Sequence, residues 1–295
     1  MIKSRLSDRN PQAFGFLITL LGVTFFFPDA LVVRLIGGDT MTIAVWRGLV
    51  AGGVTLAAIA VFDRTSLPNL REVLSWPSLA MIVLQGLGSI FFLASLGETS
   101  AANALLILAT APFLAALLSW AILKERIDAP TWGAILTVFA GVAIIGAGSV
   151  SGGHVLGDLF ALGNACTIAA YYVVLRMVPQ RKLLASIALG FLLTSVIALP
   201  FAEMAPYTAE QALLVFLSGG VILAGGVALL QIGPRYLPAA EVSMITMLEI
   251  VAGPLLVWAV IGENPGQKTL LGGAVILIAI AAHSLIKLRQ SQRPA

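Results

Sequence analysis

The amino-acid sequence predicts an all-α integral membrane protein with ten transmembrane helices, arranged as two inverted five-helix repeats. Three observations predict this fold: an apolar composition, long stretches without charge, and a pattern that occurs twice along the chain. Of the 295 residues, 59% are hydrophobic and only 11% are charged, and the mean hydropathy is +1.00. Soluble domains carry about 25% charged residues. The composition therefore excludes a soluble enzyme, a nucleic-acid-binding module and a disordered chain.

The stretches without ionisable residues locate the helices. Most are close to the roughly 20 residues that a helix needs to cross about 30 Å of hydrocarbon. They show no alternation of apolar and polar residues, which favours helices over a transmembrane barrel. The ten predicted spans are 12–35, 40–62, 77–97, 101–123, 131–149, 157–177, 185–203, 211–233, 238–261 and 268–287.

The basic residues predict the orientation of the chain. The apolar run after Lys3, Arg5 and Arg9 continues to Val33 without a small-residue cleavage pattern, so it reads as an uncleaved first span. With the N-terminus inside, the connectors place fourteen Lys and Arg residues inside and two outside, and Arg47 lies within a span. Cytoplasmic connectors are enriched in these residues. We therefore expect a multi-pass protein of a bacterial inner membrane with both termini cytoplasmic.

An internal repeat supports the division into residues 1–150, holding spans 1–5, and residues 151–295, holding spans 6–10. Five is an odd number, so the second repeat enters the membrane from the opposite face. Inverted repeats of this kind are typical of secondary transporters. The alternative is that a helical bundle rich in Leu, Ala and Gly is self-similar by chance. The aligned residues are Ala101 with Ala239, Trp120 with Trp258 and Glu125 with Glu263 at one offset, and Gly15 with Gly157 and Arg34 with Arg176 at another.

Several motifs carry a family resemblance. They are ATAPFLAALLSWAILKERI at 109–127, Trp132-Gly133, Gly141, LGDL at 156–159, Trp46-Arg47 and MLEIVAGPLLVWAVIGE at 247–263. In their order the sequence resembles the drug/metabolite transporter superfamily, of the type with two EamA-like repeats. The resemblance implies a ten-helix exporter of amino acids, related metabolites or drugs that needs no ATP-binding subunit. One departure is that Ile250, and not the Pro frequent in the family, follows Glu249.

Two ionisable residues inside the spans are candidates for substrate binding. Such side chains are costly in hydrocarbon and need a partner or a wet cavity. Glu249 lies near the middle of span 9, where it would bind a substrate ammonium or a proton, or form a structural bond to a neighbouring helix. Arg47 would bind a substrate carboxylate, satisfy carbonyls at a helix end, or pair with Asp39 or Glu249.

The remaining charges near the spans are expected to be structural. Asp29 and Arg34 are close enough along the chain to predict a local ion pair. Asp158 is expected in the first turn of a helix, where a negative charge is favourable. Glu125 and Glu263 stand at span exits and are expected to act as structural anchors.

Uncharged polar residues complete the predicted binding site. Ser243, Thr246 and Glu249 follow at steps of three, so they share one face of the ninth helix. The alternative for these residues is hydrogen bonding between helices. The predicted substrate-binding residues are Glu249, Thr246, Ser243, Asn164, Tyr171, Tyr172, Gln85, Ser89 and Arg47.

These observations together predict an exporter of small neutral or zwitterionic metabolites that works by alternating access. Amino acids, including aromatic and hydrophobic ones, are the expected substrates. The alternatives are a carrier of drugs, nucleosides or sugar-phosphate-like metabolites, a passive channel, or a membrane subunit. Uniport, proton antiport and exchange all stay open.

Cys166 is the only cysteine, which excludes an internal disulfide. We expect no enzyme activity, no cofactor, no metal and no nucleic-acid partner. The expected partners are the substrate and the lipid bilayer, with the chain acting as a monomer or homodimer.

Overall fold

The structure is a computed structural model that describes residues 11–62, 64, 70–124, 127–178, 183–230, 232, 236, 245–246 and 248–291. In these ranges the chain forms helices and no β-strand. The helices are α1 Pro11–Phe26, α2 Asp29–Ile36, α3 Thr40–Phe62, α4 Leu70–Val73, α5 Trp76–Glu98, α6 Ala101–Leu108, α7 Ala111–Leu123, α8 Ala129–Gly152, α9 Val155–Met177, α10 Leu184–Ala198, α11 Ala209–Phe216, α12 Ala224–Leu230, α13 Leu248–Ile261 and α14 Gln267–Ser291.

Within the described ranges, eight helical segments are long and apolar enough to cross a membrane. They are Phe14–Ile36, Thr40–Phe62, Trp76–Glu98, Ala101–Leu123, Ala129–Gly148, Val155–Leu175, Leu184–Phe201 and Ala209–Leu230. Two shorter apolar helices, Leu248–Ile261 and Gln267–His283, fall within the predicted ninth and tenth spans. The eight long segments follow predicted spans 1–8 closely, because the length of each charge-free run matches the thickness of a bilayer.

Three of the long segments are interrupted. The first breaks between α1 and α2 at Pro28, and the fourth breaks between α6 and α7 just before Pro112. Proline lacks a backbone N–H and therefore removes one helical hydrogen bond. The eighth segment contains a π-helical stretch, Leu217–Leu223, between α11 and α12. Interrupted helices are common at transporter binding sites because they place polar groups at membrane depth.

The closest helix packing joins the first half of the chain to the second. The most extensive contacts are those of α5 with α9, α8 with α14, α3 with α10, α5 with α10, α7 with α9, and α1 with α12. Much of the helix packing therefore lies between the two halves of the chain. The crossing of α8 and α14 is particularly tight. A Cβ at Gly141 would lie 2.6 Å from Ile276 Cγ1, and one at Gly272 would lie 2.5 Å from the Gly141 carbonyl oxygen.

Candidate functional site

A buried ion pair between Asp29 and Arg47 lies inside the bundle. Arg47 Nη2 donates to Asp29 Oδ2, and the Arg47 and Asp29 side chains are only 3% and 6% exposed. The predicted pair of Asp29 with Arg34 is therefore wrong. Five residues along a helix correspond to a rotation of about 140°, which turns the two side chains to different faces. The predicted partners of Arg47, Asp39 and Glu249, are likewise replaced by Asp29.

Two neighbouring groups hold this pair. Ser218, fully buried in the π-helical stretch, donates its hydroxyl to Asp29 Oδ1 at 3.2 Å. The Arg47 guanidinium carbon lies 5.5 Å from the centre of the Phe92 ring, a cation–π distance. Asp29 follows the break at Pro28, so the interruption of the first span places a carboxylate at membrane depth. Sequence reasoning missed Asp29 and Ser218 as site residues, although Pro28 beside an acid in an apolar run was a usable signal.

Arg47 also lines a small cavity. Its volume is about 10 Å³, which is room for roughly one water molecule. Gln85 Nε2 donates to Ser89 Oγ at 3.2 Å, so the structure brings together three of the predicted residues, Arg47, Ser89 and Gln85. Within the described ranges, Arg47 Nε has no hydrogen-bond partner. The lining residues are Ala44, Arg47, Gly48, Ser89, Leu93, Phe191, Thr194 and Leu223.

Glu249 lies in the first turn of α13 and is partly buried. It is close enough to Asp29 and to Tyr172 for electrostatic interaction with both. About one turn after Glu249, α13 packs against α6, where a Cβ at Gly253 would lie 2.6 Å from Leu105 Cδ1. Glu249 therefore belongs to the same charged region as the Asp29–Arg47 pair.

The other predicted site residues lie in different surroundings. Asn164 is 5% exposed at the contact of α9 with α5, where a Cβ at Gly88 would lie 3.4 Å from Asn164 Oδ1. Asn164 therefore lies at a contact between two helices. Tyr171 and Tyr172 meet edge to face with ring centres 5.9 Å apart, and Tyr171 packs on an apolar cluster that includes Phe191. Thr246 is partly buried, and Ser243 lies outside the described residues.

A second polar cluster, which we name the Glu263 network, joins helix ends at one end of the bundle. Glu263 Oε2 lies 3.1 Å from Arg34 Nε, and Glu263 Oε1 accepts the Ala101 backbone N–H at 2.6 Å. Glu263 is thus an anchor, as predicted, and Glu125 lies outside the described residues. Asp158 occupies the first turn of α9, as predicted, and accepts the Thr99 hydroxyl at 2.9 Å. The network consists of Arg34, Thr99, Ala101, Asn103, Asp158, Glu263 and Thr269.

The central region combines charged and polar groups that can bind a solute. In the part of the chain that the structure describes, no three His, Cys, Asp or Glu side chains are grouped so as to hold a metal ion. The groups that converge are a guanidinium, two carboxylates, hydroxyls, an amide and aromatic rings. They can hold a small solute by charge and hydrogen bonds at membrane depth.

Comparison with known proteins supports a transport role. The model of the EamA-like transporter family matches residues 20–147 and again residues 155–285. A protein of Bacillus subtilis (strain 168) named "Uncharacterized transporter YdfC" is 24% identical over 249 residues, which cover 77% of this chain and 76% of that protein. A solved structure described as "Crystal structure of protein" superposes with a TM-score of 0.68 at 20% identity. The superposition covers 95% of this chain and 99% of the other, and it shows a shared fold.

Proposed function

We propose, from the premise that this chain belongs to the EamA-like transporter family, that it exports small neutral or zwitterionic metabolites as a secondary transporter. The family and the apolar helices make it a multi-pass membrane transporter of small molecules. Amino acids, including aromatic ones, are the substrate class that we infer. The observation that carries this proposal is the buried Asp29–Arg47 pair beside Glu249.

Three ionisable side chains at this position need a functional reason. On insertion scales each charge near the bilayer centre costs about 2.5–3.5 kcal/mol, and such residues generally mark substrate or proton pathways. A purely structural contact between helices would be served by the uncharged bonds found elsewhere, such as that of Thr194 Oγ1 to the Gly86 carbonyl oxygen at 3.3 Å. The charged region is therefore suited to a polar solute that must cross an apolar core.

The proposed mechanism is alternating access by a chain of two inverted repeats in a bacterial inner membrane, with both termini cytoplasmic. The closest helix pairs take one helix from each half, so the moving units would combine helices from both repeats. Interrupted helices beside the charged region supply bending points. In this mechanism Glu249 is the acid that takes up a proton or a substrate ammonium when the cavity changes sides.

Transport by the purified chain tests the proposal. In proteoliposomes we expect saturable uptake of labelled L-phenylalanine or L-leucine, accelerated by unlabelled amino acid on the opposite side. A channel would conduct without saturation and without this acceleration. Transport by the chain alone would also dismiss the idea that it is a subunit of a larger assembly.

The Glu249→Gln variant tests the role of the acid. We expect it to abolish uptake or to change its dependence on pH. The matched control is Glu210→Gln, which neutralises an exposed acid in the first turn of α11 and should leave uptake unchanged. Flux and pH response like those of the wild type in Glu249→Gln would remove Glu249 from the mechanism.

A further inference from the structure

The buried Asp29–Arg47 pair has an unused donor. Arg47 is 3% exposed, yet its Nε makes no hydrogen bond to any residue that the structure describes. Leaving a buried donor of a charged group unsatisfied is unfavourable, so this atom is available to a bound solute. Ser89 lines the same cavity as Arg47, and its hydroxyl, which accepts from Gln85, still has a proton to donate.

The acid of the pair, Asp29, is held by hydrogen bonds whose donors can be redirected. Asp29 Oδ2 accepts from Arg47 and Oδ1 accepts from Ser218 Oγ at 3.2 Å. Both bonds are made by groups that have alternatives, because an Arg side chain offers five N–H donors and a hydroxyl can rotate. A cationic group entering between Asp29 and Arg47 would find a carboxylate already desolvated.

We propose that Asp29 and Arg47 recognise the two charges of a zwitterionic headgroup, with the substrate carboxylate on Arg47 and Ser89 and its ammonium on Asp29. This inference rests on the proposed transport function and names its substrate class as α-amino acids. In the empty carrier the two side chains neutralise each other, and in the loaded carrier each is neutralised by the substrate. The net charge of the Asp29–Arg47 site is therefore zero in both states, and Glu249 remains available to bind a proton.

Charge balance gives this site its selectivity. A ligand with only an ammonium would leave Arg47 without its counter-ion, and a ligand with only a carboxylate would leave Asp29 without one. An uncompensated charge in a buried site is strongly unfavourable. The wild-type site should therefore reject analogues of an amino acid that lack either charged group.

Binding of matched ligands to the detergent-purified full chain tests this inference. The probes are L-phenylalanine, 2-phenylethylamine and 3-phenylpropanoate, and the corresponding set L-leucine, 3-methylbutylamine and 4-methylpentanoate. Affinity is measured by calorimetry, and stabilisation by thermal shift. We expect at least one of the two amino acids to bind at least tenfold more tightly than both of its singly charged analogues.

The variants assign each charge to its side chain. In Asp29→Asn the amino acid should bind no more tightly than the acid analogue, and in Arg47→Gln no more tightly than the amine. The double variant D29N/R47Q contains no unpaired buried charge, so it keeps the test available if a single variant fails to fold. It should lose the tenfold preference. Its matched control is E210Q/K268Q, which removes one exposed acid and one exposed base and should keep it.

The outcomes separate the inference from the proposed function. The inference is overturned if neither amino acid binds, if the wild type binds a singly charged analogue as tightly, or if D29N/R47Q keeps the preference. If binding shows the expected pattern but proteoliposomes show no saturable uptake, the transport function is wrong and the recognition stands. If saturable uptake is instead unaffected by D29N/R47Q, the transport function stands and the recognition by Asp29 and Arg47 is wrong.

Discussion

Arg34 and Glu263 form an ion pair that joins the end of α2 to the connector between α13 and α14, with Arg34 Nε 3.1 Å from Glu263 Oε2. Both side chains also bond to the junction of α5 and α6, at Thr99 and at Ala101, the first residue of α6. Arg34 donates to the Thr99 carbonyl oxygen at 2.6 Å, and Glu263 accepts from the Ala101 N–H at 2.6 Å. Three helix ends, drawn from both halves of the chain, are therefore held together at one end of the bundle.

This arrangement predicts a gate that the Glu263 network keeps shut. The two side chains are about a quarter exposed, and ion pairs of that exposure contribute roughly 0–1 kcal/mol, so the contact can open cheaply. We expect Arg34→Gln to favour the conformation that is open at this end. In a Cys166→Ser background, a cysteine replacing the cavity-lining Leu93 should react several-fold faster with a thiol reagent applied from that side.

Two controls accompany the gate prediction. Arg34→Lys keeps the charge and should label like the parent protein. Lys268→Gln removes a cation at the same end whose side chain donates to the Ala147 carbonyl oxygen at 2.9 Å, and it should also label like the parent. An Arg34→Gln rate equal to that of the parent would contradict the gate.

Asp39 predicts a contribution to stability at acid pH. Burial alone would raise its pKa, but hydrogen bonds from the Thr42 side chain and from the backbone N–H groups of Thr42, Glu203 and Met41 outweigh burial and hold the pKa below its ordinary value. A depressed pKa means that this stability is present above the pKa of the unfolded chain, about 3.9, and is lost as pH falls through the folded value.

The measurement is thermal unfolding of the wild type and Asp39→Asn between pH 7 and pH 3. Asparagine can still accept a hydrogen bond at the start of α3, so the variant loses the charge and keeps a cap. The wild type should be the more stable protein at pH 7, and the gap should close as the pH falls below about 4. A gap that stays constant with pH would show that the Asp39 charge contributes nothing.

The tight crossing of α8 and α14 predicts a large effect of one methyl group. Gly141→Ala would place a Cβ 2.6 Å from Ile276 Cγ1 and 2.8 Å from the Gly272 carbonyl oxygen. Overpacking of this kind costs about 1–3 kcal/mol. Gly133→Ala, in the same helix but with nothing within 4 Å of the added Cβ, is the control. The melting temperature should fall in the first variant only, and equal melting would refute the close approach.

The sequence predicted the helices well because span length and charge placement are local properties. Predicted span 40–62 coincides with α3, and the breaks in the first and fourth spans lie at or just before a proline, Pro28 and Pro112. The partners of the charges could not be predicted in this way. Spacing along α2 suggested Arg34 for Asp29, whereas the actual partner, Arg47, is brought by the packing of a different helix.

The same limit applies to the uncharged site residues. A polar residue in an apolar span is expected either in a cavity or at a helix contact, and spacing does not distinguish these. Ser89 lines the cavity, Gln85 bonds to Ser89 and packs against Gly190, and Asn164 lies at the contact of α9 with α5. How closely the helices approach decides where each residue lies, and that depends on glycines such as Gly88, whose missing side chain lets two helices touch.

The inverted arrangement of the two repeats has a direct test. Position 125 is predicted on the cytoplasmic side and position 263 on the opposite side. In the Cys166→Ser background, cysteines introduced at Glu125 and at Asn264, the neighbour of the paired Glu263, should react with a membrane-impermeant thiol reagent from opposite faces. Labelling of both from one face would exclude inverted repeats and the mechanism built on them.

The repeat also predicts a counterpart of the gate. The offsets that align Arg34 with Arg176 and Glu263 with Glu125 give each half an Arg and a Glu at equivalent positions in sequence. Glu125 and the side chain of Arg176 lie outside the described residues, so this prediction rests on sequence alone. If the repeats exchange roles during transport, Glu125→Gln should favour the conformation opposite to the one that Arg34→Gln favours. The cysteine at position 93 should then label more slowly from the Arg34 side than in the parent protein. Faster labelling would mean that the two acids act at the same gate, and an unchanged rate would mean that Glu125 has no part in gating.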